Sequence, residues 1–267
     1  ITDGVIGVTT TELTSALTPV DVSWVGNLIH TNSGTNCTVG WYEVVSVSGT
    51  TATVDRSLGT AASVCTQKLG GAMSLNSTLD DDLFENGLGT NGTGAMLFWV
   101  KNGSLALGES VSIAATGGTQ APILIVGFNA LRSDLGTLVQ TNRPVITGGA
   151  NAMTLAANWD LYNLSITGTP VTVLSLAAGV KVVNSKVVNT STTAGRAAIG
   201  MSNQGLLLGC EVISYRGNAV TLGANNSVLL YNYIHDSDKG FTTSATTQTA
   251  TLIGNIFAGH VTAAVAT

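Results

Sequence analysis

Five six-residue segments of this chain align without gaps on one pattern, apolar-x-x-small-x-apolar: residues 161–166, 182–187, 207–212, 229–234 and 252–257. Their fourth positions are Leu164, Ser185, Cys210, Asn232 and Asn255, so successive copies lie 21, 25, 22 and 23 residues apart. A fixed block at slightly variable intervals means one invariant element plus loops that absorb insertions, as in a solenoid. Helical repeats need longer units with a 3.6-residue apolar period, which is absent, and a leucine-rich repeat needs a denser leucine frame. The spacing therefore predicts an all-β chain built as a right-handed parallel β-helix, with about 22 residues, three short strands and three turns in each coil.

Positions four and six of the pattern are two apart and share one strand face, whereas position one has the opposite parity. A bend or bulge is therefore expected between position one and the strand proper. Ile166, Val187, Val212, Ile234 and Phe257 are expected to stack as one core column. In the fourth column, Asn232 and Asn255 on neighbouring coils would form an amide ladder at the interstrand spacing of about 4.8 Å. Apolar flanks favour an interior ladder over two surface turn asparagines. Residues 171–176, 219–223 and 239–242 read as the next strand of their coils, after corners such as 215–218.

Upstream, residues 95–100, 110–114, 123–126 and 145–147 read as strands of looser coils. The polar stretch 129–143, with Arg132, Asp134 and Arg143, reads as an insertion projecting sideways. The first 75 residues differ. A strand is expected over 25–30, and a hairpin joins 41–47 to 51–55 through a glycine turn at Gly49. Residues 1–75 thus read as a β-rich N-terminal cap, because an uncovered solenoid end would pair with other chains. Residues 76–267 read as the β-helix, opening on a turn-rich join over 78–92 with one helical turn around 79–86. The chain opens at Ile1 without a methionine or signal peptide and stops at Thr267 partway through what reads as another coil. It is therefore expected to be a piece of a longer protein.

Composition narrows the function classes. Hydrophobic residues make up 44% and charged residues only 9%, against roughly 25% charged in ordinary globular domains. No apolar run of about 18 residues occurs, so no ordinary transmembrane helix and no membrane insertion are expected. The net charge of −5 and the lack of a basic stripe argue against a nucleic-acid partner. Three cysteines leave a Cys37–Cys65 disulfide open, with two unpaired small residues the preferred reading. Cys210 reads as a buried small residue. Asn-x-Ser/Thr sequons begin at Asn36, Asn76, Asn91, Asn102, Asn163, Asn189 and Asn225.

The stretches 25–30, 40–47, 52–56 and 69–72 resemble the opening region of parallel β-helix proteins common in phage and metagenomic sequences. Residues 120–129, 132–134 and 143–147 look like the first full coils of such proteins. With the repeat, the resemblance covers most of the chain and is similar to phage tailspikes, tail fibres and other virion appendages. It implies a location on a virion or extracellular surface, and homo-oligomers, trimers above all. The same fold class includes pectate lyases and polygalacturonases, so the architecture alone decides no chemistry.

A polysaccharide hydrolase of this shape needs carboxylates converging on one groove. The repeat strands carry few. Glu211 and Lys186, one coil apart, read as a surface ion pair, and the Asn-Thr-Asp, Asp-Asp, Gly-His-Gly and Arg-Ile-Lys motifs of polygalacturonases are missing in context. Asp236, Asp238 and Lys239 follow His235 in one turn and form the best catalytic or cation-binding candidate. Turn chemistry explains the same residues. Asp80, Asp81 and Asp82, with Glu85, form a second cation candidate, although Ca²⁺ needs about six oxygen ligands. His30, His235 and His260 are scattered, and no cofactor motif appears. Trp24, Trp41, Trp99 and Trp159 could stack sugars but read mainly as core. The reading adopted is a non-catalytic structural or receptor- and glycan-binding module of a virion appendage or similar fibre, partnered by copies of itself and by cell-surface polysaccharide. A polysaccharide-degrading tailspike or lyase is the alternative, and a self-assembling filament the second.

Overall fold

The computed structural model describes residues 1, 3–25, 27–70, 72–74, 96–108, 110–113, 123–129, 142–244 and 248–266. The chain divides into two compact units. In the first, six antiparallel strands, β1 (Gly4–Ile6), β2 (Glu12–Thr14), β3 (Leu28–Ser33), β4 (Gly40–Ser48), β5 (Thr51–Val54) and β6 (Val64–Gly70), close into a barrel in the order β1-β2-β5-β4-β3-β6. The expected hairpin is β4–β5. The strand expected over 25–30 starts later, because Val22–Trp24 winds into a 3-10 turn first. Ile6, Leu13, Ile29, Tyr42, Val44, Ala52 and Leu58 fill the barrel core.

The preferred reading of Cys37 and Cys65 is overturned: they form a disulfide, with Cα atoms 6.0 Å apart. Cys65 lies buried on β6, and the segment carrying Cys37 bridges to Gly59. Barrel closure, invisible in the spacing of 28 residues, brings the two thiols together.

The second unit is a parallel β-helix with three ladders. The first ladder runs through Ile123–Phe128, Trp159–Tyr162, Lys181–Val183, Leu206–Leu208, Ser227–Leu230 and Ala250–Ile253. The second runs through Ser104–Ala106, Val145–Gly149, Ser165–Gly168, Lys186–Asn189, then residues 211–214, 233–237 and Ile256–Ala258. The third runs through Val111–Ile113, Met153–Leu155, Thr172–Leu176, Ala197–Met201, then residues 218–222, 239–243 and Ala263–Ala266. About six turns are described, and the repeat is near 23 residues.

The expected core column is present: Ile146, Ile166, Val187, Val212, Ile234 and Phe257 pair in register up the second ladder. Position one of the pattern, at Leu161, Val182, Leu207, Leu229 and Leu252, stacks on the first ladder instead. The bend between the ladders is made by position three. Asn163, Asn184, Gly209, Tyr231 and Gly254 all have positive φ, at 58°, 46°, 62°, 54° and 65°. Asn and Gly tolerate this left-handed conformation, and a tyrosine does so only under strain.

Position four closes the bend chemically. Its backbone N–H is turned away from the ladder, and the side chain of the next coil accepts it. Leu164 donates to Ser185 Oγ at 3.1 Å, Cys210 to Asn232 Oδ1 at 2.8 Å, and Asn232 to Asn255 Oδ1 at 2.9 Å. The Asn232 and Asn255 amides also donate to the Leu207 and Leu229 carbonyls. The asparagine ladder is therefore interior, and it satisfies backbone groups that would otherwise be buried unpaired.

Several sequence expectations change on this frame. Arg143 does not project sideways; it is buried, with Nη2 donating to Asn184 Oδ1 at 2.7 Å. The sequon asparagines Asn163 and Asn189 are buried, and the Asn189 amide donates to the Pro170 and Ala197 carbonyls, so neither can accept a glycan in the folded chain. Arg132, Asp134, the turn over 79–86 and the candidates Asp80, Asp81 and Asp82 lie outside the described residues.

Candidate functional site

The chain from Tyr233 to Thr243 forms one long strand, bent so that it serves the second and third ladders in turn. Ile234 points into the core. Tyr233 and His235 point outward from the same face, and their rings stack with centroids 4.0 Å apart at 19°. Their neighbours come from the two preceding coils. Glu211 pairs in register with both Lys186 and Tyr233, and Glu211 Oε1 accepts from Lys186 Nζ at 3.0 Å and lies 3.1 Å from His235 Nε2. His235 Nδ1 lies 2.9 Å from Asp236 Oδ2. Lys186, Glu211, His235 and Asp236 thus form one continuous polar chain across three coils.

The Lys186–Glu211 pair matches the sequence reading, but Glu211 is not a solvated surface group: its side chain is 10% exposed and its Oε2 is buried without a hydrogen-bond partner. Both nitrogens of His235 face carboxylates, which hold the ring between Glu211 and Asp236. Asp236 is 60% exposed at a left-handed corner, φ 50°. Asp238 and Lys239 continue beyond the corner, where Lys239 pairs in register with Asn218 and Ala263 on the third ladder. The three residues that share a short stretch of sequence are thus placed on a corner and the strand beyond it.

A second pairing escaped the sequence reading. Ser237 Oγ lies 2.8 Å from His260 Nδ1, the separation of a nucleophile and its base. Ser237, however, is buried and paired in register with buried Ser214 inside the coil stack, where no substrate reaches it. Burial holds the His260 imidazole below its ordinary value of 6.5. Cys210 is likewise inert: burial pushes its thiol up to about 11.

Two surface features of the β-helix are open to a ligand among the described residues. Tyr231 is 66% exposed despite its left-handed backbone, and its ring lies against Gly254, where a Cβ would come within 2.5 Å of the tyrosine Cδ1. With exposed Tyr233 it offers aromatic surface beside the polar chain. On the third ladder, two adjoining depressions of about 400 and 570 Å³ share Val171, Thr172 and Ser175. Gly200, Asn218 and Thr221 extend the first and Arg196 the second, and among the described residues no Asp or Glu lines either. Among the described residues, no three His, Cys, Asp or Glu side chains converge as metal ligands. Of the tryptophans, Trp24 and Trp159 are core as expected, whereas Trp41 is half exposed.

Comparison of the chain with protein-family models, curated proteins and solved structures yields no match.

Proposed function

We propose that this chain is a non-catalytic module of an extracellular or virion-borne fibre, which holds polysaccharide against the outer face of its β-helix without cleaving it. The observation that carries this reading is the engagement of Lys186, Glu211, His235 and Asp236 with one another beside the exposed rings of Tyr231 and Tyr233. A lyase or hydrolase needs a base or an acid directed at the scissile group, and here Glu211 and His235 are turned on each other and on Lys186 and Asp236. Stacking rings and fixed hydrogen-bonding groups serve sugar binding without one. The strain at Tyr231 supports the same reading, since a bulky residue persists in the left-handed region where its surroundings or its use require it.

The Cys37–Cys65 disulfide supports an extracellular or otherwise oxidising location, because such bonds are rare in the reducing cytosol. A trimer of copies, as in tail fibres and tailspikes, is the assembly we propose, to be tested by light scattering. The binding claim is tested by titrating the intact chain with a panel of bacterial and algal polysaccharides. Replacing Tyr231→Ala and Tyr233→Ala together is expected to weaken binding at least about tenfold through lost aromatic contact. Undiminished binding by a correctly folded double variant overturns the assignment of the site.

A further inference from the structure

The barrel carries a side-chain row that the proposed polysaccharide surface does not use. Strand β3 lies between β4 and β6, and one rung crosses all three: His30 pairs in register with Trp41 on one side and with Lys68 on the other. The His30 and Trp41 rings stack with centroids 4.3 Å apart at 20°. Trp41 keeps 52% of its surface exposed, whereas Trp24 in the same unit is buried. The strand beneath the indole is pinned from its other flank. Arg56 donates to the Trp41 carbonyl, stands 4.7 Å above the Tyr42 ring, and pairs with Asp55 at 2.6 Å. Tyr42 in turn is buried and donates to the Thr38 carbonyl at 2.7 Å.

The row therefore places a stacked, half-exposed indole and an exposed ammonium on one face of the sheet, with His30 between them. Arg56 is engaged by Asp55, whereas no carboxylate pairs with Lys68 among the described residues. A single exposed aromatic is unremarkable on a protein surface. An indole fixed by a stacked neighbour and aligned with an unpaired ammonium is a composite recognition element. Its apolar part matches the C–H face of a pyranose ring, and its charge matches a carboxylate on that ring. We propose that Trp41, His30 and Lys68 form a binding site for acidic pyranosides, of the uronic-acid class, on the barrel. This site is independent of the β-helix surface described above.

The test uses the full chain carrying Tyr231→Ala and Tyr233→Ala, so that only the barrel is read. It is titrated calorimetrically with a hexasaccharide alternating glucuronic acid and N-acetylglucosamine, and with the uncharged N-acetylglucosamine hexasaccharide. The acidic ligand is expected to bind more tightly, and added salt to erase the difference. Trp41→Ala is expected to weaken binding of the acidic ligand about tenfold, with partial rescue by Trp41→Tyr. Lys68→Gln is expected to weaken it up to about fivefold, the scale of an exposed charge pair, and to leave the neutral ligand unchanged. Equal binding of the two hexasaccharides, or unchanged binding in folded Trp41→Ala, overturns the proposal. If Trp41→Ala fails to fold, Lys68→Gln decides: unchanged preference for the acidic ligand overturns the proposal as well.

Discussion

The barrel and the β-helix meet the same demand in opposite ways. Both are built from short strands poor in charge, and both must satisfy backbone groups wherever a strand ends. The barrel does so by closure, since a sheet joined β6 to β1 has no free edge, and one disulfide ties the connection between β3 and β4 to β6. The β-helix does so by repetition. Each coil hands its corner N–H to a side chain of the next, through Ser185, Asn232 and Asn255. The barrel therefore concentrates its stability in a few long-range connections, while the β-helix spreads it over neighbour-to-neighbour contacts. Perturbations chosen in one region should register in that region's unfolding transition.

The largest effect is expected at the corner ladder. Asn232→Leu leaves the Cys210 N–H buried without its acceptor and removes the amide bonds to the Leu207 carbonyl and to Asn255, at about 4 kcal/mol for the three together. Urea unfolding should show the β-helix transition moving and the barrel transition standing still. The complementary change is Cys37→Ser with Cys65→Ser, which frees a loop spanning 28 residues and should cost the barrel about 3 kcal/mol on the chain-entropy argument. Melting with and without reductant checks it, and a β-helix transition that moves equally would break the comparison.

A smaller effect of opposite sign is expected at Tyr231. Asn163 and Asn184 occupy the same corner column with positive φ, so Tyr231→Asn should stabilise the β-helix by about 1 kcal/mol by relieving backbone strain. The same variant should bind polysaccharide less tightly, which separates strain kept for use from strain without one. The smallest effect is a pH slope. His260 is held below 6.5 in the fold, so the unfolded chain binds its proton first as pH drops. This contribution to stability is complete above about pH 6.5 and declines as pH falls towards the depressed folded value. His260→Gln should flatten that part of the stability profile.

Much of the β-helix was legible because its core column repeats at nearly constant intervals and its strand faces follow parity. The corner column was half legible. Asn163, Asn184, Gly209 and Gly254 advertise a left-handed residue, but Tyr231 masks the pattern because its side chain does not suit that backbone. The strands Ser104–Ala106 and Met153–Leu155 escaped notice, being three residues long and outside the repeat. The Lys186–Glu211 pair could be read from coil spacing, whereas its extension to His235 needs a diagonal contact that only the built sheet reveals. The disulfide and the row of Trp41, His30 and Lys68 both depend on barrel closure, which pairs strands distant in sequence and has no repeat to announce it.

The central functional claim is that the polar chain beside Tyr231 and Tyr233 holds polysaccharide without cutting it. The direct measurement is the chain length and reducing-end content of bound polysaccharides after prolonged incubation with the intact protein, read against an Asp236→Asn, Asp238→Asn double variant. The account expects bound polymer of unchanged length with either protein. New reducing ends or unsaturated products that vanish in the double variant would contradict it.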